Sequence, residues 1–155
     1  MRYQERLWVP AWYWLIVVGV AASFVVAIWA YLGMEWGLGT AAVVLAIGAA
    51  LVIGYGGVQV RVSEDALHVG HAHVDWRWTG PATALDPATT ARKLGPESDH
   101  SAYLVTRPYI ATAIELPIHD YADPHHRWLV STRRPEALAS AINAARTEAG
   151  ARTDD

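Results

Sequence analysis

From Trp12 to Leu32 the chain reads WYWLIVVGVAASFVVAIWAYL without a charge, and from Leu38 to Val58 it reads LGTAAVVLAIGAALVIGYGGV, again without one. A helix rises about 1.5 Å per residue, so about 20 apolar residues cross a hydrocarbon core about 30 Å thick. Each stretch meets that length. The five residues between them, GMEWG, suffice only for a tight turn. The pattern predicts a two-span helical hairpin over 12–58 (12–32 and 38–58), preceded by a short segment, 1–11.

After Gly57 the apolar residues alternate instead of running in blocks. VQVRV (Val58 to Val62) sets valines on one face, and ALHV follows the turn SED with Leu67 and Val69 inward. Such alternation is the mark of a half-buried strand. Past Gly70 the phase inverts, so Ala72, Val74, Trp76 and Trp78 become the apolar set. A slip of one residue at a glycine signals a bulge or tight turn. AYLVTR (102–107), TAIELPI (112–118) and RWLVST (127–132) suit further strands. LDPATTARKLG predicts a short helix with Asp86 as cap and Pro87 in its first turn. RRPEALASAINAARTEA predicts a closing helix with Leu138, Ala141, Ile142 and Ala145 along one face. A β-rich domain is therefore expected over 59–148, with GARTDD in a frayed tail, 149–155. The fold class is α+β: a two-helix membrane hairpin followed by a small antiparallel barrel or sandwich, pleckstrin-homology-like in its order of elements, capped by a C-terminal helix.

The flanks of the apolar blocks refine this picture. Arg2, Arg6 and Arg61 lie on the shared side of the hairpin, whereas the turn carries only Glu35. Positive residues stay cytoplasmic, so both termini are expected inside a cytoplasmic membrane, with membrane lipid as the first partner. Trp8, Trp12 and Trp14 mark one interface, and Trp29, Tyr31 and Trp36 the other. A cleaved signal sequence is disfavoured, because the apolar run is too long and Trp29 and Tyr31 stand where small residues should precede cleavage. Small residues recur at Gly19, Ser23 and Ala27, and at Ala42, Ala46, Ala50 and Gly54. Such stripes let backbones approach closely in lipid. They are expected to zip the two spans together, or else to receive a partner's helix.

Charge removes one class of partner. Of twelve Lys and Arg and fifteen Asp and Glu, ten and thirteen respectively fall from Arg61 onward. A net-acidic surface does not replace the counterions of nucleic acid, so no nucleic acid is expected. Cysteine is absent, which excludes disulfides and thiolate chemistry.

Three constellations remain as candidate sites. His71, His73 and Asp75, at spacings of two, could offer imidazoles and a carboxylate to zinc, although a solvated strand face is the stronger reading of HVGHAHVDWRW. Arg133 and Arg134 precede Pro135 at a helix start, where free N–H groups and guanidinium forks suit an anion or lipid headgroup; Arg107 could join them. Trp76 and Trp78 are expected to fill the core, or else to form a contact surface for a partner or membrane. GxSxG, HExxH and phosphate-cradling glycine loops are all absent from the sequence. No catalytic residue, cofactor or enzymatic activity is expected.

YQERLWVPAWYW, AYLVTRPYI and YADPHHRWLVSTRRPEALASAI resemble an actinobacterial family of two-span membrane proteins, the domain-of-unknown-function family numbered 3093. The likeness runs from about Tyr3 to Ala145, and STRRPEAL is its most specific part. It implies membrane residence and brings no catalytic residues with it. Together these features predict a scaffold or interaction subunit that presents a β domain at the inner membrane surface to a protein partner or a second copy. The alternative is a small-anion or headgroup binder built on the arginines.

Overall fold

The computed structural model describes residues 3–120 and 123–153; Arg2 of the flanking arginines and Asp154 and Asp155 of the tail lie outside that range. The chain divides into two compact units, Trp8–Gly57 and the remainder on either side of it.

The first unit is the apolar hairpin. α1 (Trp12–Leu32) has the bounds the sequence predicts, and α2 (Met34–Tyr55) begins four residues early. Only Gly33 separates them, at a φ of 94° that suits glycine, while Met34 to Gly37 form the first turn of α2. Both helices are long and apolar enough to cross a membrane.

The stripes expected to zip these helices face outward. Gly19, Ser23 and Ala27 are exposed, as are Ala42, Ala46, Ala50 and Gly54. The packed faces are Val17, Ala21 and Val25 on α1, and Gly37, Ala41, Val44 and Gly48 on α2. A Cβ at Gly37 would sit 3.2 Å from the Val25 carbonyl oxygen, and one at Gly48 only 2.5 Å from Val17 Cγ1. Those two glycines, three turns apart, let the backbones meet. The sequence could not single them out, because every face of both helices is apolar.

In the second unit, two four-stranded sheets and one helix share a core. The first sheet runs β1 (Tyr3–Arg6), β2 (Gln59–Val62), β3 (Ala66–Val69) and β4 (Ala72–Asp75), all antiparallel. β1 was not anticipated: the segment read as a mere flank pairs Tyr3 with Val62 and Arg6 with Gln59. The hairpin is thus spliced between two adjacent strands, and Leu7 N donates to Val58 O at 3.0 Å where the chain leaves and returns.

The second sheet has the order β5 (Thr83–Leu85), β7 (Ala113–Pro117), β8 (Arg127–Ser131) and β6 (Ala102–Val105), with β6 parallel to β8. Among the described residues the sheets do not close into the barrel that was one of the two expected forms. α3 (Pro87–Leu94) starts as predicted, with Thr89 N donating to Asp86 Oδ1 at 2.6 Å. This bond holds the Asp86 carboxyl below its ordinary range.

Val60, Leu67, Val74, Ile114, Leu116, Trp128 and Val130 meet Leu138, Ile142 and Ala145 of α4 (Pro135–Thr153) in one core. The α4 face matches the sequence reading, but the helix continues through most of the supposed tail, to Thr153. Asn143 fixes its position by accepting from Ala82 N at 2.8 Å and donating to Ala82 O at 3.0 Å. On the far face of the second sheet, Glu115 accepts from Lys93 and Arg127, each at 3.0 Å, and Arg127 reaches Asp99 at 3.2 Å.

The two kinds of glycine give different expectations. Gly48→Leu must displace the stiff, branched Val17 and should destabilise the hairpin by about 1–3 kcal/mol. Gly54→Leu, with nothing within 4 Å of a new Cβ, should leave it unchanged. Helical circular dichroism followed on heating in detergent checks both.

Candidate functional site

The start of α4 is the most elaborated polar site of the β domain. Pro135 lacks an N–H and suits the first helical position, and Leu138 N donates to Arg134 O at 3.0 Å to close the first turn. The backbone N–H groups just upstream therefore need acceptors. Arg134 N finds Thr132 Oγ1 at 3.1 Å, and Arg133 N finds Glu5 Oε1 at 3.0 Å. Glu5 Oε2 also accepts from Tyr3 OH at 2.7 Å and from the Thr132 hydroxyl.

Register explains this convergence. Glu5 lies opposite Val60 and Tyr3 opposite Val62, so both share the inner face with residues that are fully buried. The protein thus supplies its own carboxylate to the helix start that the sequence marked as an anion pocket. A carboxylate there accepts from the Arg133 N–H and answers the positive end of the helix dipole. Arg133 and Arg134 are exposed around it. Arg107 approaches through its backbone, with N donating to Ser131 Oγ at 3.0 Å, while its guanidinium bonds Thr106 O at 3.2 Å.

Burial pushes the Tyr3 phenol up to about 12; the Thr132 hydroxyl pulls it down, Glu5 raises it and Arg134 lowers it. Of these residues the sequence reading missed Tyr3, Glu5 and Thr132. The visible signal was the alternation in YQER, but its inward positions are polar, and the strand template looks for apolar ones.

The other candidates separate in space. His71 belongs to the turn after Gly70, whose φ is 62°, and not to β4. The imidazole beside His73 is therefore His68, its cross-strand partner, with ring centroids 5.8 Å apart. Asp75 pairs with Arg77 at 3.4 Å. Among the described residues no group of three or more His, Asp or Glu side chains is placed to hold a metal ion.

Trp76 and Trp78 do not share a strand face, because β4 ends at Asp75 and Trp76–Trp78 form a 3-10 turn. Trp76 is 3% exposed and its indole N–H donates to Glu64 O at 3.0 Å, which places it in the core. Trp78 packs beside that core with the Arg77 guanidinium 5.1 Å above its ring.

A family model described as protein of unknown function (DUF3093) matches residues 2–142. No curated protein and no solved structure matches the chain.

Two expectations follow for the α4 start. Glu5→Ala strands three donors and should cost about 1–3 kcal/mol of domain stability, read as a lower urea midpoint. Tyr3 generates a pH dependence. Its folded pKa exceeds the unfolded value of about 10, so above that pH the unfolded chain releases a proton that the fold retains. Stability should fall as pH rises from about 10 towards 12, and Tyr3→Phe should remove that part of the slope.

Proposed function

We propose that this chain, which belongs to the DUF3093 family, is a non-enzymatic scaffold or interaction subunit of the cytoplasmic membrane. In this reading α1 and α2 cross the bilayer, both termini lie inside, and the β domain is presented at the inner surface. Two sheets followed by a C-terminal helix also fit the pleckstrin-homology-like order of elements.

The observation that carries the proposal is the insertion of the hairpin between β1 and β2. The β domain is joined to it by two chain passages hydrogen-bonded to each other, Leu7 N to Val58 O at 3.0 Å. A hairpin that crosses the bilayer would keep the domain concentrated near membrane-bound partners. The outward stripes of Gly19, Ser23 and Ala27 and of Ala42, Ala46, Ala50 and Gly54 support the reading, since the hairpin does not use them itself. Membrane lipid would cover the remaining exposed apolar side chains.

The anion-binding alternative gains no comparable support. An external anion at Arg133 and Arg134 would have to displace Glu5, which already bonds Arg133 N.

Because the chain has no cysteine, single thiols report cleanly. Ala46→Cys, on the exposed stripe, should cross-link under mild oxidation in native membranes to a second copy or to a partner's thiol. Ala41→Cys, on the face that meets α1, should not. Ser98→Cys in the β domain should react with an impermeant maleimide only after the cells are opened. A monomeric Ala46→Cys protein of unchanged mass would count against the interaction role, and labelling of Ser98→Cys in intact cells would invert the topology.

A further inference from the structure

A cleft of about 680 Å3 opens on the β domain beside the last turns of α4, remote in sequence from the Glu5 site. Asp65, Asp75, Arg77, Arg146, Gly150 and Arg152 line it. Two of its three guanidiniums are engaged. Arg77 pairs with Asp75 at 3.4 Å, and Arg152 donates to Glu64 O at 2.9 Å with the Glu64 and Asp65 carboxylates 3.9 Å away.

Arg146 differs. It is half-buried, yet among the described residues it makes no hydrogen bond, ion pair or ring contact. The helix dipole does not account for it, since α4 runs on to Thr153 and only Arg152 is basic in the last turn. A partly desolvated guanidinium without a counter-charge calls for an anion from outside. One turn further on, a Cβ at Gly150 would meet nothing within 4 Å, so the cleft is open beside Arg146.

We propose that this cleft binds a small phosphomonoester, with Arg146 as its principal anchor. Three arginines against two aspartates leave the lining with net positive charge. A tetrahedral dianion has oxygens for two guanidinium forks, so it can engage Arg146 and share a second arginine. Asp65 and Asp75 are acceptors only, and suit the free hydroxyls that glycerol 3-phosphate carries. Free glycerol 3-phosphate and the headgroup of phosphatidic acid share this chemistry.

The test uses the full chain in maltoside micelles, titrated calorimetrically with glycerol 3-phosphate and with glycerol as control, and the full chain in phosphatidylcholine nanodiscs with and without phosphatidic acid. Saturable binding is expected that requires the phosphate. Arg146→Gln should weaken it roughly tenfold or more, the loss of a charged hydrogen-bonding group. Gly150→Leu should weaken it by filling the cleft, and the unfolding midpoints of both variants should show that the fold persists. Arg133→Gln should leave binding unchanged, which separates this site from the α4 start. Binding of glycerol 3-phosphate would mark a soluble ligand, and binding of phosphatidic acid alone a lipid one. No binding of either probe, or binding that Arg146→Gln leaves intact, overturns the assignment.

Discussion

Residues Tyr3 to Leu7 hold the β domain together from a position far removed in sequence from everything they touch. Their backbone pairs with β2, and the Leu7 side chain is fully buried in the shared core. The Leu7 carbonyl accepts from Tyr109 OH at 3.0 Å, while Glu5 bonds Arg133 N at the start of α4. One five-residue segment thus links the first sheet, the core, the approach to β7 and the closing helix. The fifty residues Trp8–Gly57 intervene before β2 begins. Closing a flexible loop of that length would cost about 3–4 kcal/mol in the length-dependent term alone. A helical hairpin lowers that cost, because its two legs are nearly equal and return the chain to where it left. Gly56 illustrates the return: a Cβ there would lie 2.8 Å from Val9 Cγ2.

The two units distribute apolar residues in opposite ways. In the β domain, large apolar side chains such as Leu67, Ile114 and Ile142 are fully buried, as removal from water favours. In the hairpin the arrangement is reversed: bulky apolar residues such as Leu15, Phe24, Leu51 and Ile53 are exposed, and small ones meet at the helix interface. That distribution suits a lipid environment, where close backbone approach takes over from hydrophobic burial as the packing force. The outward small-residue stripes are then surfaces on which another helix could come equally close.

Charge in the β domain is handled by two different means. At the start of α4 the Glu5 carboxylate and the Thr132 hydroxyl accept from the N–H groups of Arg133 and Arg134, a place that an external anion would otherwise take. Beside the last turns of α4, Arg146 has no such partner among the described residues. The first arrangement stabilises the fold, and the second carries the proposed phosphomonoester site. Arginine motifs at helix starts therefore have to be judged by what the rest of the chain delivers to them.

The sequence alone determined what depends on local period. The uncharged block gave α1 its bounds, alternation located β2, β3, β4, β6, β7 and β8, Asp86-Pro87 placed α3, and the 3.6-residue period marked the buried face of α4. The family likeness was equally legible, because it rests on runs of adjacent residues. Tertiary structure decided what depends on contrast or on distant partners. An all-apolar helix carries no polar residues to mark its packed face, so only the placement of Gly37 and Gly48 against α1 revealed it. β1 became a strand through pairing with β2 across the hairpin, and Trp76–Trp78 left the strand pattern to form a turn. Glu5 reached α4, and Arg146 its cleft, through sheet register and helix docking. Periodicity reports the environment of neighbouring residues, whereas these contacts join positions many residues apart, whose meeting no local pattern encodes.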